Sequence, residues 1–315
     1  MSENIGSFPT MITPYLKDGS VDYEMVERYV QWYYDNGCNG IFAVCQSSEI
    51  FYLSPDERVK INKTVYNYAQ KIASNGGKKM TIVSSGHVSD SLEKQAYELN
   101  KIAESGTDAL ILITNRLDIN NEGDDVLLKN LETLMKQLPE DIKLGLYECP
   151  YTYKRLVNPR ILKWCVDTGR FYFMKDTCCD MNLINERMEV IRGSEFKLMN
   201  ANCQTLLASL QAGAGGYCGI MANYHPRLYA WLCENYEKEP EKAKLVQDFL
   251  CIAGFTENGL PYPLTAKYHM CLENLQTEVT ARNRKTDEFT NYTALCVEQL
   301  KELSDYITKE VIGVE

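Results

Sequence analysis

The chain contains 315 residues, of which 45% are hydrophobic and 24% are charged, so it is long enough to fold around a large hydrophobic core. Its 33 basic residues against 43 acidic ones give a formal net charge of −10, which argues against non-specific binding to nucleic acid or to an anionic membrane. Residues 1–6 lack the basic start and the apolar run of a signal peptide, and no stretch reaches the length of a membrane span. A cytoplasmic protein is therefore predicted.

Eight short apolar runs bounded by turn residues recur along the chain, and each is separated from the next by a segment long enough for a helix. In chain order the runs cover residues 8–15, 40–44, 80–84, 109–114, 144–148, 171–175, 196–200 and 216–221. The pattern predicts eight strands that alternate with helices.

Several of the intervening segments carry signals for the start and the end of a helix. Ser54 precedes a proline, and Glu57 follows three residues after the serine, which is the pattern of a capping box. Asp90 and Glu93 repeat this arrangement before a helical apolar run. Glycine, which readily adopts the left-handed conformation that ends a helix, follows four of these segments. These glycines are Gly37, Gly106, Gly169 and Gly213.

Eight strands that alternate with helices have two main solutions, a closed (β/α)8 barrel and an open doubly wound sheet. The open sheet usually carries a glycine-rich phosphate turn after its first strand, whereas residues 16–20 here read Leu-Lys-Asp-Gly-Ser. Eight units also fill a barrel with none left over. We therefore predict an α/β fold, a (β/α)8 TIM barrel, over residues 1–237.

The last part of the chain contains no further strand signal, and four of its segments have the pattern of helices. They cover residues 227–236, 240–254, 263–273 and 287–309. The first of these would complete the eighth unit of the barrel. The other three predict a C-terminal helical extension, residues 238–315, that packs on the barrel.

The twelve cysteines are scattered along the chain, and none belongs to a Cys-x-x-Cys pair. Cys178 and Cys179 are adjacent, a spacing that suits neither an easy disulfide nor a zinc site. The three histidines, His87, His225 and His269, are too far apart for metal-ligand spacing. We expect reduced and mostly buried cysteines, and a protein that needs neither a metal nor another cofactor.

The sixth apolar run leads directly into Lys175. A continuous hydrophobic run is typical of a strand buried on both faces, and lysine is rarely buried fully without a reason. Burial disfavours the charged form of an amine, and a neutral amine attacks carbonyl carbons to form a Schiff base. The alternative is an ordinary lysine at a strand end whose ammonium group reaches solvent.

The active site of a barrel of this type lies at the carboxyl ends of its strands. The second run is followed by Ser47 and Ser48, whose hydroxyls suit a carboxylate, and the fifth run carries the phenol of Tyr147. An amine, a phenol one strand away and a carboxylate cradle are the parts that Schiff-base chemistry on a 2-keto acid needs. Each part has an ordinary interpretation as well, since the serines suit a turn or a helix cap and Tyr147 is one of 21 tyrosines.

The sequence resembles the dihydrodipicolinate synthase / N-acetylneuraminate lyase family, whose members are pyruvate-dependent Schiff-base lyases and aldolases on a TIM barrel. The most diagnostic parts are Tyr-x-x-Pro at 147–150 and Met-Lys-Asp-Thr at 174–177, which includes Thr177. The resemblance implies that Lys175 forms the imine and that Tyr147 relays protons. It also implies that the hydroxyl of Ser47 binds the pyruvate carboxylate, next to Ser48, and that Cys218 lies against the bound pyruvate.

Three departures from the family affect the acceptor half of the site. Gln46 replaces the first hydroxyl of the family's Gly-Thr-Thr-Gly-Glu turn, which belongs to the proton relay of the synthases. Thr-Asn-Arg-Leu at 114–117 replaces a Thr-Pro-Tyr-Tyr motif and places Arg116 just past the fourth strand. Asn-Ala-Asn-Cys at 200–203 replaces the sialate lyase motif Gly-x-Asp-Glu, so Asn200 offers an amide for substrate hydroxyls.

We therefore predict a Schiff-base-forming lyase or aldolase that acts on pyruvate or a related 2-keto acid. The aldehyde acceptor is expected to be polar and anionic, of the keto-sugar-acid type, because Arg116, Lys154 and Arg155 put positive charge on neighbouring loops. The alternatives are a true 4-hydroxy-tetrahydrodipicolinate synthase and a non-catalytic protein that binds keto acids or sugar acids. The expected partners are a small-molecule substrate and further copies of the chain, in a dimer or tetramer.

Overall fold

A computed structural model describes residues 6–314 of the chain. Eight parallel strands form one sheet: β1 Gly6–Ser7, β2 Gly40–Phe42, β3 Thr81–Ser84, β4 Ala109–Ile113, β5 Lys143–Tyr147, β6 Phe171–Asp176, β7 Lys197–Asn200 and β8 Gly216–Tyr217. Their order in the sheet is β1-β8-β7-β6-β5-β4-β3-β2, so the strands from β2 to β8 follow one another in sequence, β1 lies beside β8, and β1 and β2 are the edges. This order, with helices between the strands, is that of a (β/α)8 TIM barrel, and the predicted fold class is confirmed.

Backbone hydrogen bonds between the first and second strand regions bring the edges of the sheet together. The amide of Asn39 donates to the carbonyl of Ser7 at 3.0 Å, and the amide of Phe42 donates to the carbonyl of Pro9 at 3.0 Å. The amide of Met11 donates back to the carbonyl of Phe42 at 3.1 Å. These bonds leave the barrel nearly closed, so neither edge strand presents a long free ladder of donors and acceptors.

The helices surround the barrel and continue beyond it. They are α1 Tyr23–Asp35, α2 Pro55–Ser74, α3 Leu92–Glu104, α4 Asp124–Met135, α5 Pro159–Asp167, α6 Met181–Ile191, α7 Leu206–Gln211, α8 Pro226–Asn235, α9 Pro240–Asn258, α10 Leu264–Leu272 and α11 Asn291–Tyr306. The four predicted helix ends are confirmed, because the glycine that follows each one has a positive φ.

The start signals were predicted correctly for one helix and one residue too early for another. At α2 the amide of Glu57 donates to the hydroxyl of Ser54 at 3.2 Å, and the amide of Ser54 donates to Glu57 at 2.8 Å, which is the predicted capping box. The cap of α3 is Ser91 and not Asp90. The carboxylate of Asp90 is instead bound by Arg116, at 3.0 Å.

The first strand was predicted wrongly at residues 8–15, because β1 ends before that range, and the last strand is shorter than predicted. Only two residues form β1, and residues 8–15 continue as buried but irregular backbone. Pro9 and Pro14 lack an amide hydrogen, so this segment cannot supply a continuous ladder of hydrogen bonds. The predicted eighth strand ends early because a 3₁₀ turn begins at Ile220–Asn223.

The helices α9 to α11 pack on the barrel, and the predicted C-terminal helical appendage is confirmed. In α9, the side chain of Gln247 accepts from the amide of Leu207 at 2.9 Å and donates to the carbonyl of Cys203 at 2.8 Å. The division into units 1–237 and 238–315 stays a prediction. None of the described helices combines the length and the hydropathy that crossing a membrane requires.

Replacing Gly216 with alanine should lower the free energy of unfolding by roughly 2 kcal/mol or more. Gly216 has a φ of +148°, and a Cβ there would lie 1.9 Å from the carbonyl oxygen of Gly6 on β1. Urea denaturation measures the effect. Gly193→Ala is the matched control, because Gly193 has a φ of +76° but no atom within 4 Å of the added Cβ, and it should cost roughly 1 kcal/mol. Equal losses in the two variants would contradict the close approach of β8 to β1.

Candidate active site

Two neighbouring strands carry Tyr147 and Lys175 at the same height in the barrel. Tyr147 is the last residue of β5, and it is the direct register partner of Lys175 in β6. Side chains at one register position of adjacent strands point to the same face, so both enter the barrel. The Lys175 Nζ lies 4.3 Å from the centre of the Tyr147 ring. The structure thus brings together the two residues that were predicted to act together.

The next residue of each strand, Glu148 and Asp176, points away from the barrel interior. Both carboxylates bind the guanidinium of Arg187, a residue of α6, and all three side chains are fully buried. The Arg187 Nε also donates to the carbonyl of Val157 at 2.9 Å. Burial raises the pKa of Glu148, and the charge of Arg187 opposes that shift. One arginine therefore links the ends of β5 and β6 directly behind the candidate catalytic pair.

Backbone groups complete the binding of the Glu148 carboxylate. The amides of Val157 and Thr177 donate to it at 2.7 and 2.9 Å. The hydroxyl of Thr177 donates to the carbonyl of Glu148 at 2.8 Å, and Thr177 itself lines the cavity described below. The position of this predicted substrate-binding residue is therefore set by the same buried carboxylate.

The surroundings of the Lys175 amine are mostly apolar. Lys175 is 3% exposed, and its nitrogen lies 5.8 Å from the centre of the Phe42 ring. Burial raises the pKa of two thiols, Cys149 and Cys218, the latter to about 12, and the charge of Lys175 opposes both shifts. Cys218 is thus a fully buried neighbour of Lys175, although it does not itself line the cavity.

The phenol of Tyr147 is held as a proton donor. It is 2% exposed and donates to the Oε1 of Gln46 at 3.4 Å, which also accepts from the thiol of Cys149 at 3.3 Å. Burial raises the pKa of Tyr147 well above its usual value, so the phenol stays protonated near neutral pH. Gln46 therefore orients the proton of Tyr147 and has no hydroxyl proton of its own to pass on.

A cavity of about 540 Å³ opens at the carboxyl ends of the strands, and Lys175 and Tyr147 form part of its wall. A cavity of this size accommodates a small organic substrate. The lining residues that carry an amide side chain are Gln46, Asn202, Gln204, Asn258 and Asn283.

Three hydroxyls meet at one side of the cavity and are called the hydroxyl cluster here: those of Ser47, Thr10 and Tyr262. The Ser47 hydroxyl donates to Thr10 at 3.0 Å. Burial raises the pKa of Tyr262, and hydrogen bonds with Ser47 and Thr10 oppose that shift. Ser47 and Tyr262 both line the cavity. Such a group of donors suits a substrate carboxylate.

Ser48 and Asn200, two predicted substrate-binding residues, use their polar atoms inside the protein. The hydroxyl of Ser48 bonds to two backbone carbonyls at 2.7 and 2.8 Å. The amide of Asn200 donates to the hydroxyls of Thr205 and Ser209, both at 3.0 Å. Neither side chain lines the cavity. Ser48 and Asn200 therefore shape the loops next to the cavity. The neighbouring Asn202 does line it, with its amide bonded to Gln204 at 2.7 Å.

Two of the three basic residues predicted to face the acceptor are bound elsewhere. Arg116 donates to Asp90 at 3.0 Å, and Arg155 is held by two other carboxylates at 2.8 and 2.7 Å. Neither arginine lines the cavity. Lys154 does line it, and its Nζ donates to the carbonyl of Thr177 at 2.8 Å. The loop carboxylates that capture Arg116 and Arg155 were not recognisable as partners from the sequence.

Sequence reasoning missed the contribution of the C-terminal part of the chain. Tyr262, Asn283 and Arg284 line the cavity, although they follow the eighth unit of the barrel. No local motif marks them, since their place depends on how α9 to α11 fold back over the barrel. The basic stretch Arg-Asn-Arg-Lys at 282–285 was the available signal.

The chemistry of the thiols agrees with a reduced protein. All twelve cysteines are free. Within residues 6–314, no group of three or more His, Cys, Asp or Glu side chains is placed to hold a metal ion. The independence of the protein from metals and cofactors stays a prediction.

The sequence profile of the dihydrodipicolinate synthetase family matches residues 3–302, nearly the whole chain. The chain therefore belongs to this family of class I, aldolase-type lyases, and the resemblance seen in its motifs is confirmed. The protein is an enzyme of that class, which removes the non-catalytic alternative.

Individual relatives are distant in sequence but cover most of the chain. The chain is 28% identical over 236 residues to the 4-hydroxy-tetrahydrodipicolinate synthase of Methanococcus aeolicus, covering 74% of this chain and 76% of that one. It is 23% identical over 271 residues to the enzyme of the same name from Staphylococcus epidermidis, covering 85% and 87%. Among solved structures, a monomeric dihydrodipicolinate synthase variant matches with a TM-score of 0.84 at 18% identity, covering 97% and 99%. YagE from E. coli K12, in complex with pyruvate, matches with a TM-score of 0.81 at 15% identity, covering 96% and 98%.

Replacing Arg187 with methionine should lower the free energy of unfolding by about 3–5 kcal/mol, because two buried carboxylates lose their only guanidinium partner. Urea denaturation measures the loss. Arg160→Met is the matched control: the pair of Arg160 with Asp125 is exposed, at 63% and 85%, and its removal should cost less than about 1 kcal/mol. A small loss in Arg187→Met would show that the site does not depend on this cation.

Proposed function

We propose that the protein is a Schiff-base aldolase for pyruvate or a related 2-keto acid, with Lys175 as the amine and Tyr147 as the proton-transfer group. The observation that carries this proposal is the register pairing of the two residues at the open end of the barrel, with the amine 4.3 Å from the phenol ring. Membership of a family of class I aldolase-type lyases supports it.

The first step is imine formation. The Lys175 amine attacks the keto carbon C2 of the substrate and forms a carbinolamine. Its oxygen takes one proton from the amine nitrogen and one from the phenol of Tyr147, and it leaves as water. The products are an iminium ion on Lys175 and a phenolate on Tyr147.

The second step makes or breaks a carbon–carbon bond. In the direction of cleavage, the Tyr147 phenolate takes the proton of the C4 hydroxyl, the C3–C4 bond breaks, and its electron pair forms an enamine with the former iminium carbon. The aldehyde fragment leaves, and Tyr147 returns the proton to C3. Water then hydrolyses the imine, which restores the amine and the phenol and releases the 2-keto acid. Condensation follows the same steps in reverse.

The hydroxyl cluster is the proposed site for the carboxylate of the keto acid. Ser47 and Tyr262 present donors on the wall that also carries Lys175. Two relatives of the same fold were solved with pyruvate, YagE and the dihydrodipicolinate synthase of Acinetobacter baumannii. Cys218 is fully buried and its thiol is influenced by the charge of Lys175, so its predicted place near the bound keto acid is part of the proposal.

The acceptor half of the cavity suits a polar aldehyde. Side chains of Asn202, Gln204, Asn258 and Asn283 line it with amide groups. The amides of Asn202 and Gln204 bond to each other at 2.7 Å, so they form a connected polar part of the wall. An aldehyde that carries hydroxyl groups can bond to such a polar wall, whereas an apolar one would displace water from it without replacing the hydrogen bonds. The proposed substrate is therefore of the keto-sugar-acid type.

A second candidate is 4-hydroxy-tetrahydrodipicolinate synthase activity, because the relatives in Methanococcus aeolicus and Staphylococcus epidermidis carry that name. Gln46 argues against efficient synthase activity, since it occupies the place of a relay hydroxyl and accepts the proton of Tyr147 without a hydroxyl to pass one on. Condensation of pyruvate with aspartate semialdehyde distinguishes the two candidates. We expect weak turnover or none, and a rapid reaction would favour the synthase.

The oligomeric state and the cellular location of the enzyme are predicted from the sequence alone. A dimer or tetramer and a cytoplasmic location stay predictions. A monomeric dihydrodipicolinate synthase variant exists among the structural relatives, so the family fold does not require assembly. Measurement of the molar mass in solution tests the predicted oligomer.

Reduction with borohydride in the presence of pyruvate should attach a pyruvate-derived group to Lys175, because the iminium is converted to a stable amine. Mass spectrometry of the digested protein identifies the modified peptide. Lys267 is an internal control: it is fully buried, and burial lowers its pKa to about 8, but it does not line the cavity. The Lys267 peptide should stay unmodified, and an unmodified Lys175 at saturating pyruvate would refute the proposal.

Replacing Tyr147 with phenylalanine should lower kcat by roughly 10²–10⁴-fold with little change in KM, because a general acid–base group acts mainly in the transition state. Steady-state kinetics of cleavage or condensation measures both constants. Tyr172→Phe is the matched control on β6, since Tyr172 is half-buried and does not line the cavity. Unchanged turnover in Tyr147→Phe would mean that Tyr147 only fills space.

A further inference from the structure

The cavity is positively charged although the protein is strongly acidic. The chain has a formal net charge of −10, yet the charged side chains among the described lining residues are Lys154, Lys175, Arg284 and Glu49. When Lys175 becomes an iminium ion, the carboxylate of the bound keto acid balances its charge. The bound keto acid then has no further negative charge that could balance Lys154 and Arg284.

Glu49 does not neutralise these two cations, because its carboxylate already binds backbone amides and lies near a third cation. Its Oε2 accepts from the amides of Arg282 and Asn283 at 2.6 and 2.9 Å. Its Oε1 lies 4.0 Å from the Nζ of the buried Lys267. Glu49 thus holds residues 280–284, called the C-terminal strap here, against the barrel.

Further contacts fix the strap at Thr280 and Arg282. The guanidinium of Arg282 forms two bonds to Glu57, at 2.9 and 2.7 Å, and one to the carbonyl of Gly19 at 2.9 Å. The Nζ of Lys267 donates to the carbonyl of Thr280. A segment held in this way is ordered before a substrate arrives, so little conformational entropy is lost on binding.

The strap places Arg284 between the cavity and an exposed carboxylate. Its Nε donates to the backbone carbonyl of Tyr262 at 3.1 Å. Its Nη1 donates to Glu288 at 2.8 Å, and the two side chains are 43% and 38% exposed. Ion pairs this exposed contribute little, so a substrate carboxylate can take the place of Glu288.

We propose that Arg284 is a specificity-determining residue that binds a carboxylate at the aldehyde end of the substrate, with Lys154 as a second cation on the cavity wall. This inference rests on the proposed Schiff-base function, because it describes the fragment that joins or leaves at C4. The substrate class is a 2-keto acid with a second carboxylate beyond the C3–C4 bond. Glu288 occupies the guanidinium of Arg284 in the free protein and is displaced when the substrate binds.

The test is aldol addition of pyruvate to two matched aldehydes, glyceraldehyde and tartronate semialdehyde. Tartronate semialdehyde differs from glyceraldehyde in that a carboxylate replaces the hydroxymethyl group. The wild-type protein should have the higher kcat/KM for the anionic aldehyde. Arg284→Gln should lower the ratio of anionic to neutral kcat/KM by about 10–100-fold, because charged hydrogen bonds are lost. Glu288→Gln should raise that ratio by about two- to fivefold, because a competing carboxylate is removed. Opposite signs from two neighbouring substitutions cannot arise from a general loss of folding.

Arg192→Gln is the control variant, since Arg192 forms an exposed pair with Glu189 at the end of α6, away from the cavity, and the ratio should not change. Borohydride trapping of pyruvate in the same wild-type preparation tests the aldolase function separately. Suppose that Lys175 is trapped. The inference about Arg284 is then overturned if the wild-type protein does not prefer the anionic aldehyde, or if the substitutions at Arg284 and Glu288 do not shift the ratio in opposite directions. In either case the aldolase proposal stands. If Lys175 is not trapped, both are overturned.

Discussion

The candidate active site depends on the buried pairing of Arg187 with Glu148 and Asp176. These carboxylates directly follow Tyr147 and Lys175, and the alternation of a strand turns them to the side opposite the substrate. Two buried negative charges are costly unless a cation and hydrogen bonds compensate them. Arg187 and nearby backbone amides supply that compensation. The same contacts hold the strand ends together, and thereby the phenol and the amine that stand on them.

In the proposed function the cavity has a keto-acid half and an acceptor half, which draw to different extents on the barrel and on the C-terminal part of the chain. The barrel supplies Lys175, Tyr147 and the serine hydroxyl of the keto-acid half, as expected for a fold whose strand ends carry the chemistry. Much of the acceptor half comes from the connection between α9 and α10 and from the C-terminal strap. Under this proposal, reaction class and substrate choice depend largely on different segments, so the acceptor could change while Lys175 and Tyr147 stay the same.

The fold could be predicted because its signals are local and repeated. The capping box at Ser54 and the glycines after four helices act within one turn of their own element, so they do not depend on the rest of the protein. Strand boundaries were less predictable where hydrogen bonding depends on a partner. Residues 8–15 are as buried as a strand, but Pro9 and Pro14 leave the ladder incomplete, and apolar character alone does not reveal this.

The sequence by itself determined the barrel and the pairing of Lys175 with Tyr147 at its open end, because strand alternation and strand ends are periodic features that do not depend on distant contacts. Only the tertiary structure decided which polar residues face the substrate. Arg116 and Asn200 have the right chemistry and stand near strand ends, but neighbouring side chains bind their polar groups. Arg284 reaches the cavity because Glu49, 235 positions earlier in the chain, binds the adjacent backbone. A contact between residues so far apart is set by the packing of whole elements, and no local pattern encodes it.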